Sequence, residues 1–295
     1  KVPSNDKHVI YVWLDALTNY ISALNYPDNK SDLFKKFWPA SIHLIGKDIL
    51  RFHAVYWPAF LMAADIKPPK KIFAHGWWTN EGQKISKSLG NVIDPYKIIS
   101  EFGLDQFRFY LFRDVPFGND GDFSIKAFSN RINADLSNNL GNLVQRVTAF
   151  IEKNSEKNFK NNFNLKKEDK DILVLSEKKL KNYIKYMSNL ELDKSLKEIF
   201  DILTEANIYV NNQAPWKLKN IDINRMNVVL SVSIELIKRC NLLLFPFIPR
   251  SSVKIFKLLN INYEKLNYDN ICILPDKEIS INSPEPVFPR IQLDD

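Results

Sequence analysis

The sequence predicts an α/β unit followed by an all-helical one, and three observations carry that reading. Short β-branched and aromatic runs alternate with helical segments over the first third. A Lys/Ser loop, with a hairpin before it and a helix cap after it, follows. Beyond about Phe123 apolar residues recur at three- and four-residue spacing, and no strand pattern returns before the tail. The 295 residues make about two domains' worth of chain. Boundaries are expected at 1–72, 73–125 and 126–295.

Val9 to Trp13 is β-branched and aromatic, so it reads as a strand, and Thr18 to Leu24 as a helix closed by Pro27. Ser41 to Ile45 is a second strand. Gly46 then turns the chain into a helix from about Ile49 to Ala64, and Lys71 to His75 is a third strand. Strands separated by helices form a parallel sheet, whose ligands sit at the carboxyl ends of its strands. Asp15 and Gly46-Lys47-Asp48 fall at those ends. Gly76 to Thr79 reads as a strand entering a tight turn at Asn80-Glu81-Gly82. Asp94 and Pro95 open the next helix as N-cap and first helical residue. It stops near Gly103, and Asp105 opens another through Phe112.

In the second half, Phe128, Ile132, Leu136, Leu140, Leu143, Val147 and Ile151 form one apolar stripe. Ile172 to Met187, Leu192 to Val210 and Met226 to Phe245 supply three more helices, so a bundle is expected. The Lys/Asn-rich stretch from Asn154 to Lys170 reads as a solvated connection. The tail from Ile271 reads as extended, with Pro286 to Arg290 packing back on the body.

Composition excludes several classes. Hydrophobic residues at 45% and charged residues at 25% are globular proportions, not those of a disordered tail or a fibre. The longest apolar run, around Leu242 to Phe245, is cut by Pro246 and Pro249, well short of the roughly 20 residues of a membrane span. Lys1 to Lys7 lack the apolar core of a signal peptide. Cys240 and Cys272 alone build neither a disulfide framework nor a zinc site. A cytoplasmic protein is expected. The net charge of +7 hints at a polyanionic partner.

The most specific feature is Lys84-Ile85-Ser86-Lys87-Ser88, followed by Leu89-Gly90-Asn91. Two lysines three residues apart on a loop can neutralise charge building on a leaving pyrophosphate. The five residues alone fit a solvated turn equally well. In context, with Trp77-Trp78 and the Asn-Glu-Gly turn before and the Asp-Pro cap after, they resemble the KMSKS loop of class I aminoacyl-tRNA synthetases. Isoleucine takes the place of methionine, a volume-conserving exchange.

Further segments, in order, resemble the methionyl-tRNA synthetase family. They are Tyr11-Val-Trp13-Leu-Asp15-Ala-Leu17-Thr-Asn-Tyr20, His43-Leu-Ile-Gly46-Lys47-Asp48-Ile49 with Phe52-His53 and Trp57-Pro58, Ala74 to Thr79, Gly121 to Ser124, Asn142 to Arg146, and Ala214-Pro215-Trp216. The likeness runs along essentially the whole chain. It implies the C-terminal half of a Rossmann-type nucleotide-binding fold, a stem-contact subdomain with the KISKS loop, and an anticodon-binding helical bundle. It also implies ATP-dependent activation of methionine, with Mg²⁺, and transfer of the methionyl group to methionine tRNA.

Residue by residue, the resemblance assigns Lys84, Ser86 and Lys87 to catalysis, and Gly46, Lys47, Asp48 and Lys87 to ATP. Trp13, Leu17, Tyr20, Ile49, Phe52 and His53 would hold methionine, and Asn142, Arg146 and Trp216 would meet the anticodon. Sulfur against aromatic rings gains about 0.3–1.5 kcal/mol per contact, which suits a thioether among Trp13, Tyr20 and Phe52. Trp57 fits a core role as well as a pocket role, and His53 fits that of a satisfied core histidine. Asp48 suits ribose hydroxyls or a helix N-cap. Asn138, Asn142 and Arg146 step by four along a polar face, which as a bare pattern is a solvated face.

The family also uses a pair of histidines three residues apart to grip ATP. His8, His43, His53 and His75 contain no such pair, and the zinc-binding insert has no counterpart here. The expectation is therefore a C-terminal portion of a longer, monomeric synthetase, without zinc and inactive alone. Another class I synthetase and a stand-alone tRNA-binding module are the alternative readings. The first should lack the Asn-x₃-Arg and Ala-Pro-Trp pair, and the second has no use for the Trp13 to His53 pocket.

Overall fold

The computed structural model describes residues 2–28, 30–85, 91–154, 158–159, 163–274 and 278–293. The chain divides into two compact units. One is Lys1–Thr79 with Gly118–Gly121, and the other is Asn80–Phe117 with Asp122–Asp295.

The first unit opens with α1 (Val12–Ser22) and the short α2 (Asp32–Phe37). Strands β1 (His43–Gly46) and β2 (Ile72–His75) pair in parallel, His43 opposite Ile72 and Gly46 opposite His75. Between them the chain forms a 3₁₀ turn at Lys47–Ile49, a wide π-helical turn at Phe52–Tyr56, and α3 (Trp57–Ala63). The single helix expected from Ile49 to Ala64 is thus three helical types in succession. Leu17, Ile21, Trp38, Trp57 and Leu61 form its buried core.

The expected strand at Val9 to Trp13 does not form. Val12 and Trp13 belong to the first turn of α1. Val9, Ile10 and Tyr11 are exposed, and no described strand pairs with them. A β-branched run becomes a strand only where a ladder accepts its backbone.

Strands β3 (Trp78–Asn80), β4 (Gln83–Lys84) and β5 (Gly121–Phe123) make a sheet of order β4-β3-β5. The β3–β4 turn sits where expected, with positive φ at both Glu81 (51°) and Gly82 (76°). Two such residues in a row define the turns that join strands tightly, and glycine takes one of them without strain.

In the second unit, α4 (Pro95–Phe102) is capped as predicted, the Asp94 carboxylate accepting from Tyr96 N. It is followed by α5 (Leu104–Arg113) and α6 (Ile125–Arg131). A ten-residue π-helical segment, Ile132–Gly141, runs without a break into α7 (Asn142–Asn154). All seven residues of the apolar stripe are buried. The bundle is completed by α8 (Lys167–Asn189), α9 (Leu192–Gln213), the four-residue α10 (Pro215–Leu218), α11 (Ile223–Leu244) and α12 (Pro249–Leu258).

One expectation for this half needs correction. The Asn154–Lys170 connection contains a strand, β6 (Asn158–Phe159), antiparallel to β7 (Ile279–Ser280). Two-residue strands leave no periodicity to read, and their ladder joins segments far apart in sequence. The tail does pack back. Phe288 is buried, Asn133 Nδ2 donates to the Ile291 carbonyl, and Ile291 N donates to Asn133 Oδ1, both at 2.8 Å.

Candidate functional site

In the first unit the six residues expected to hold methionine come together. Strand β1 delivers the chain to Gly46, and the successive 3₁₀ and π turns place Ile49, Phe52 and His53 beside α1. The Trp13 indole stacks on Phe52 with centroids 4.1 Å apart and stands edge-on to His53 at 6.1 Å. Tyr20, two turns along α1, meets His53 Nε2 at 2.9 Å through its hydroxyl. Leu17 is buried on the same helix.

Hydrogen bonding decides the tautomer of His53. Its Nδ1 lies 3.0 Å from the Ile49 carbonyl oxygen, which can only accept, so Nδ1 carries a proton. For the neutral ring, Nε2 then accepts from the Tyr20 hydroxyl. Burial raises the Tyr20 pKa above its ordinary value, so that hydroxyl keeps its proton. Trp57 resolves to the core. It is buried, and its Nε1–H donates to His43 Nε2 at 3.3 Å. Burial, then the charge of neighbouring His53, lower the His43 pKa. The result is an aromatic lining suited to an uncharged, polarizable side chain.

The strand end carries the expected nucleotide residues. A Cβ at Gly46 would lie 2.6 Å from Asp48 Oδ1, so only glycine lets the Asp48 carboxylate fold back there. Asp48 is exposed and is not a helix N-cap. Gly46 occupies that position, and no side chain caps the turn. The Lys47 ammonium bonds both oxygens of Asp120 at 2.6 Å and lies 4.3 Å from the Trp77 ring centre. The hydrogen bond from Lys47, then that from Trp77 N, hold Asp120 below its ordinary pKa. Asp120 was not legible as a partner, because it is distant from Lys47 in sequence.

In the second unit the base of the KISKS loop is pinned. Asn91 Nδ2 donates to the Lys84 carbonyl at 3.1 Å, and Asn80 Nδ2 to the Asn91 carbonyl at 3.0 Å. Ser86 and Lys87 lie outside the described residues.

The helical unit gathers the expected anticodon residues. Asn142 is exposed at the start of α7, and Arg146 follows one turn later. The Arg146 guanidinium lies 5.5 Å from the Trp216 ring centre, and its Nη2 donates to Asn211 Oδ1 at 2.7 Å. Trp216 is 44% exposed, a flat ring offered to solvent beside a fixed cation. Such a surface can stack an unpaired base and hydrogen-bond its edge. Asn211 was missed in the sequence. Its signal was a second four-residue amide step, Asn207 then Asn211, just before Ala214-Pro215-Trp216.

Comparison with known proteins gives the family. Residues 1–148 match the family described as tRNA synthetases class I (M). Residues 162–295 match the anticodon binding domain of methionyl tRNA ligase. The chain belongs to the class I tRNA synthetases of the methionine type. It is 50% identical to the methionine–tRNA ligase of Rickettsia felis, over all of this chain and 58% of that protein. It is 46% identical to that of Brucella suis, over 98% of this chain and 56% of that protein. The solved structure of Mycobacterium tuberculosis methionyl-tRNA synthetase in complex with methionyl-adenylate superposes with a TM-score of 0.92 at 40% identity. That match covers 98% of this chain and 58% of the structure. The chain thus spans a little over half the length of the relatives it matches.

Proposed function

We propose that this chain serves a methionine–tRNA ligase. It supplies the aromatic side of the methionine pocket, the ribose- and phosphate-facing strand end, the KISKS loop and the anticodon reader. The observation that carries the reading is the Trp13–Phe52 stack closed by the Tyr20–His53 hydrogen bond, in a chain that also presents Arg146 against Trp216.

In this reading residues 1–72 belong to the nucleotide-binding fold, 73–125 to a stem-contact subdomain and 126–295 to the anticodon domain. Methionine's carboxylate attacks the α-phosphate of ATP, whose Mg²⁺ enters as the counter-ion of the substrate. Methionyl adenylate forms and pyrophosphate leaves, and the aminoacyl group then passes to the terminal adenosine of methionine tRNA. The ring of aromatics takes the thioether. Asp48 accepts from ribose hydroxyls, and Gly46 leaves the backbone room. Lys84 and Lys87, with Ser86 between, neutralise charge as it develops on the phosphates, and Lys47 adds a further cation. The working protein is a cytoplasmic monomer.

Anticodon reading can be tested on this chain directly. An RNA hairpin with CAU in its loop should bind more tightly than one with a scrambled loop, and Trp216→Ala should remove about 1–3 kcal/mol of that preference. Both RNAs should share a salt-dependent component from the +7 charge. Equal binding of the two hairpins, unmoved by the Trp216 change, would overturn the reading.

A further inference from the structure

The direction of the Trp216 ring depends on where the last turn of α9 stops. Gln213 ends that helix, Ala214 takes a left-handed conformation (φ 43°, ψ 63°), and Pro215 opens α10 with Trp216 next. The Gln213 side chain is anchored. Its Oε1 accepts from Arg225 Nη2 at 2.5 Å. The same guanidinium donates to both oxygens of Asp169, at 2.5 and 2.9 Å. That carboxylate also accepts from the Tyr209 hydroxyl at 2.6 Å and from Lys166 N at 2.8 Å. Asp222 in turn caps α11 through Arg225 N at 2.9 Å. Groups from α9, α11 and the start of α8 therefore converge on Asp169, and Arg225 ties that cluster to Gln213, three positions before Trp216.

The Asp169 side chain is fully buried and that of Arg225 nearly so. A buried ion pair contributes little over a well-packed apolar contact of the same volume, and its best-attested use is to fix geometry. Arg225 serves that use well, since a planar fork directs each N–H to a set place.

We propose that Gln213, held by Arg225 on Asp169, is a positioning residue that sets Trp216 for base stacking beside Arg146. The proposal rests on the anticodon reading above and adds to it a residue that touches no RNA. The specificity of the hairpin preference is then sensitive to a side chain behind the reading face.

The test compares the intact chain with Gln213→Ala, Gln213→Glu and Trp216→Ala. Binding of the CAU and scrambled hairpins is measured by anisotropy of labelled RNA, and each variant is also thermally unfolded. Gln213→Ala should lower the CAU-to-scrambled affinity ratio by about ten-fold, a large part of one stacked base. Its affinity for the scrambled hairpin and its melting temperature should hold. Gln213→Glu, which keeps an acceptor for Arg225, should restore the ratio. If Trp216→Ala collapses the ratio and Gln213→Ala leaves it intact, this inference is overturned and the anticodon reading stands. A loss shared equally by both RNAs, or one that Gln213→Glu does not restore, also overturns it. If the unaltered chain does not distinguish the hairpins, the anticodon reading fails and takes the inference with it.

Discussion

The ring of Trp13 lies flat on that of Phe52, 4.1 Å between centroids and 8° from parallel, joining the first turn of α1 to the π turn after β1. Beside the stack, the Tyr20 hydroxyl meets His53 Nε2 at 2.9 Å.

On the proposed function, that arrangement should separate amino-acid binding from nucleotide binding. In a protein of the relatives' full length that carries this chain, Trp13→Ala should weaken methionine binding about ten-fold or more while ATP affinity holds, because aromatic–sulfur contact and buried area are lost together. Calorimetric titration of both ligands checks it. Equal loss of both would mean that the ring is core and the site has come apart.

On the proposed function, the KISKS loop should act at a different stage. Lys87→Ala in that same protein should slow adenylate formation by about 10²–10³-fold, the scale of losing one donor to developing charge. Methionine affinity should hardly move. Pre-steady-state ATP–pyrophosphate exchange gives the rate, and an unchanged one removes Lys87 from the chemistry.

Asp169 links the bundle's stability to pH. Burial opposes its ionisation, but hydrogen bonds from Arg225, Tyr209 and Lys166 N outweigh that and hold its pKa below the ordinary value. A carboxylate lowered on folding stabilises the native state fully above its unfolded pKa of about 3.9, and that share is lost as pH falls through the folded value. Asp169→Asn should therefore cost roughly 3–5 kcal/mol at neutral pH by leaving Arg225 unpaired in the interior. The difference from the unaltered chain should shrink as both are acidified below about pH 4. Urea unfolding across pH measures this, and a pH-independent difference would contradict it.

Gly141 reverses a usual expectation. Alanine for glycine inside a helix normally stabilises by about 1 kcal/mol. Here a Cβ would lie 2.9 Å from the Leu136 carbonyl oxygen and 3.6 Å from Phe288 Cβ. Gly141→Ala should destabilise the chain and loosen the tail over it. Thermal unfolding with hydrogen exchange at Ile291 N, which Asn133 holds, reports both.

Much of this was legible in the sequence because it rests on local rules. The Asp94-Pro95 cap, the Glu81-Gly82 turn and the seven-residue stripe each follow from residues close in the chain. The candidate site residues were legible as motifs, and the structure adds partners for some of them. Lys47 with Asp120, Arg146 with Asn211 and Trp57 with His43 are pairings set by packing, and no spacing rule reaches them. Val9 to Tyr11 failed because strand propensity describes a surface waiting for neighbours. One signal was present and unread. Phe128, Ile132, Leu136 and Leu140 keep a strict four-residue spacing, which drifts about 40° per step on an α-helix. A longer turn absorbs that drift, and the π-helical segment keeps all four buried.

The wide segment also acts as a phase shifter for everything after it. Because Ile132–Gly141 runs into α7 without a loop, the azimuth at which Asn142 and Arg146 leave the helix is set by how many residues its turns hold. Deleting one residue there would advance the following helix by about 100°. Either the stripe from Leu143 to Ile151 would leave the core, or Asn142 and Arg146 would turn away from Trp216. This stretch is therefore intolerant of length changes even at its exposed positions, such as Asn138, where substitution alone would be mild. On the proposed function, the azimuth of the anticodon-facing side chains is to that extent counted out in residues, in the turns that precede them.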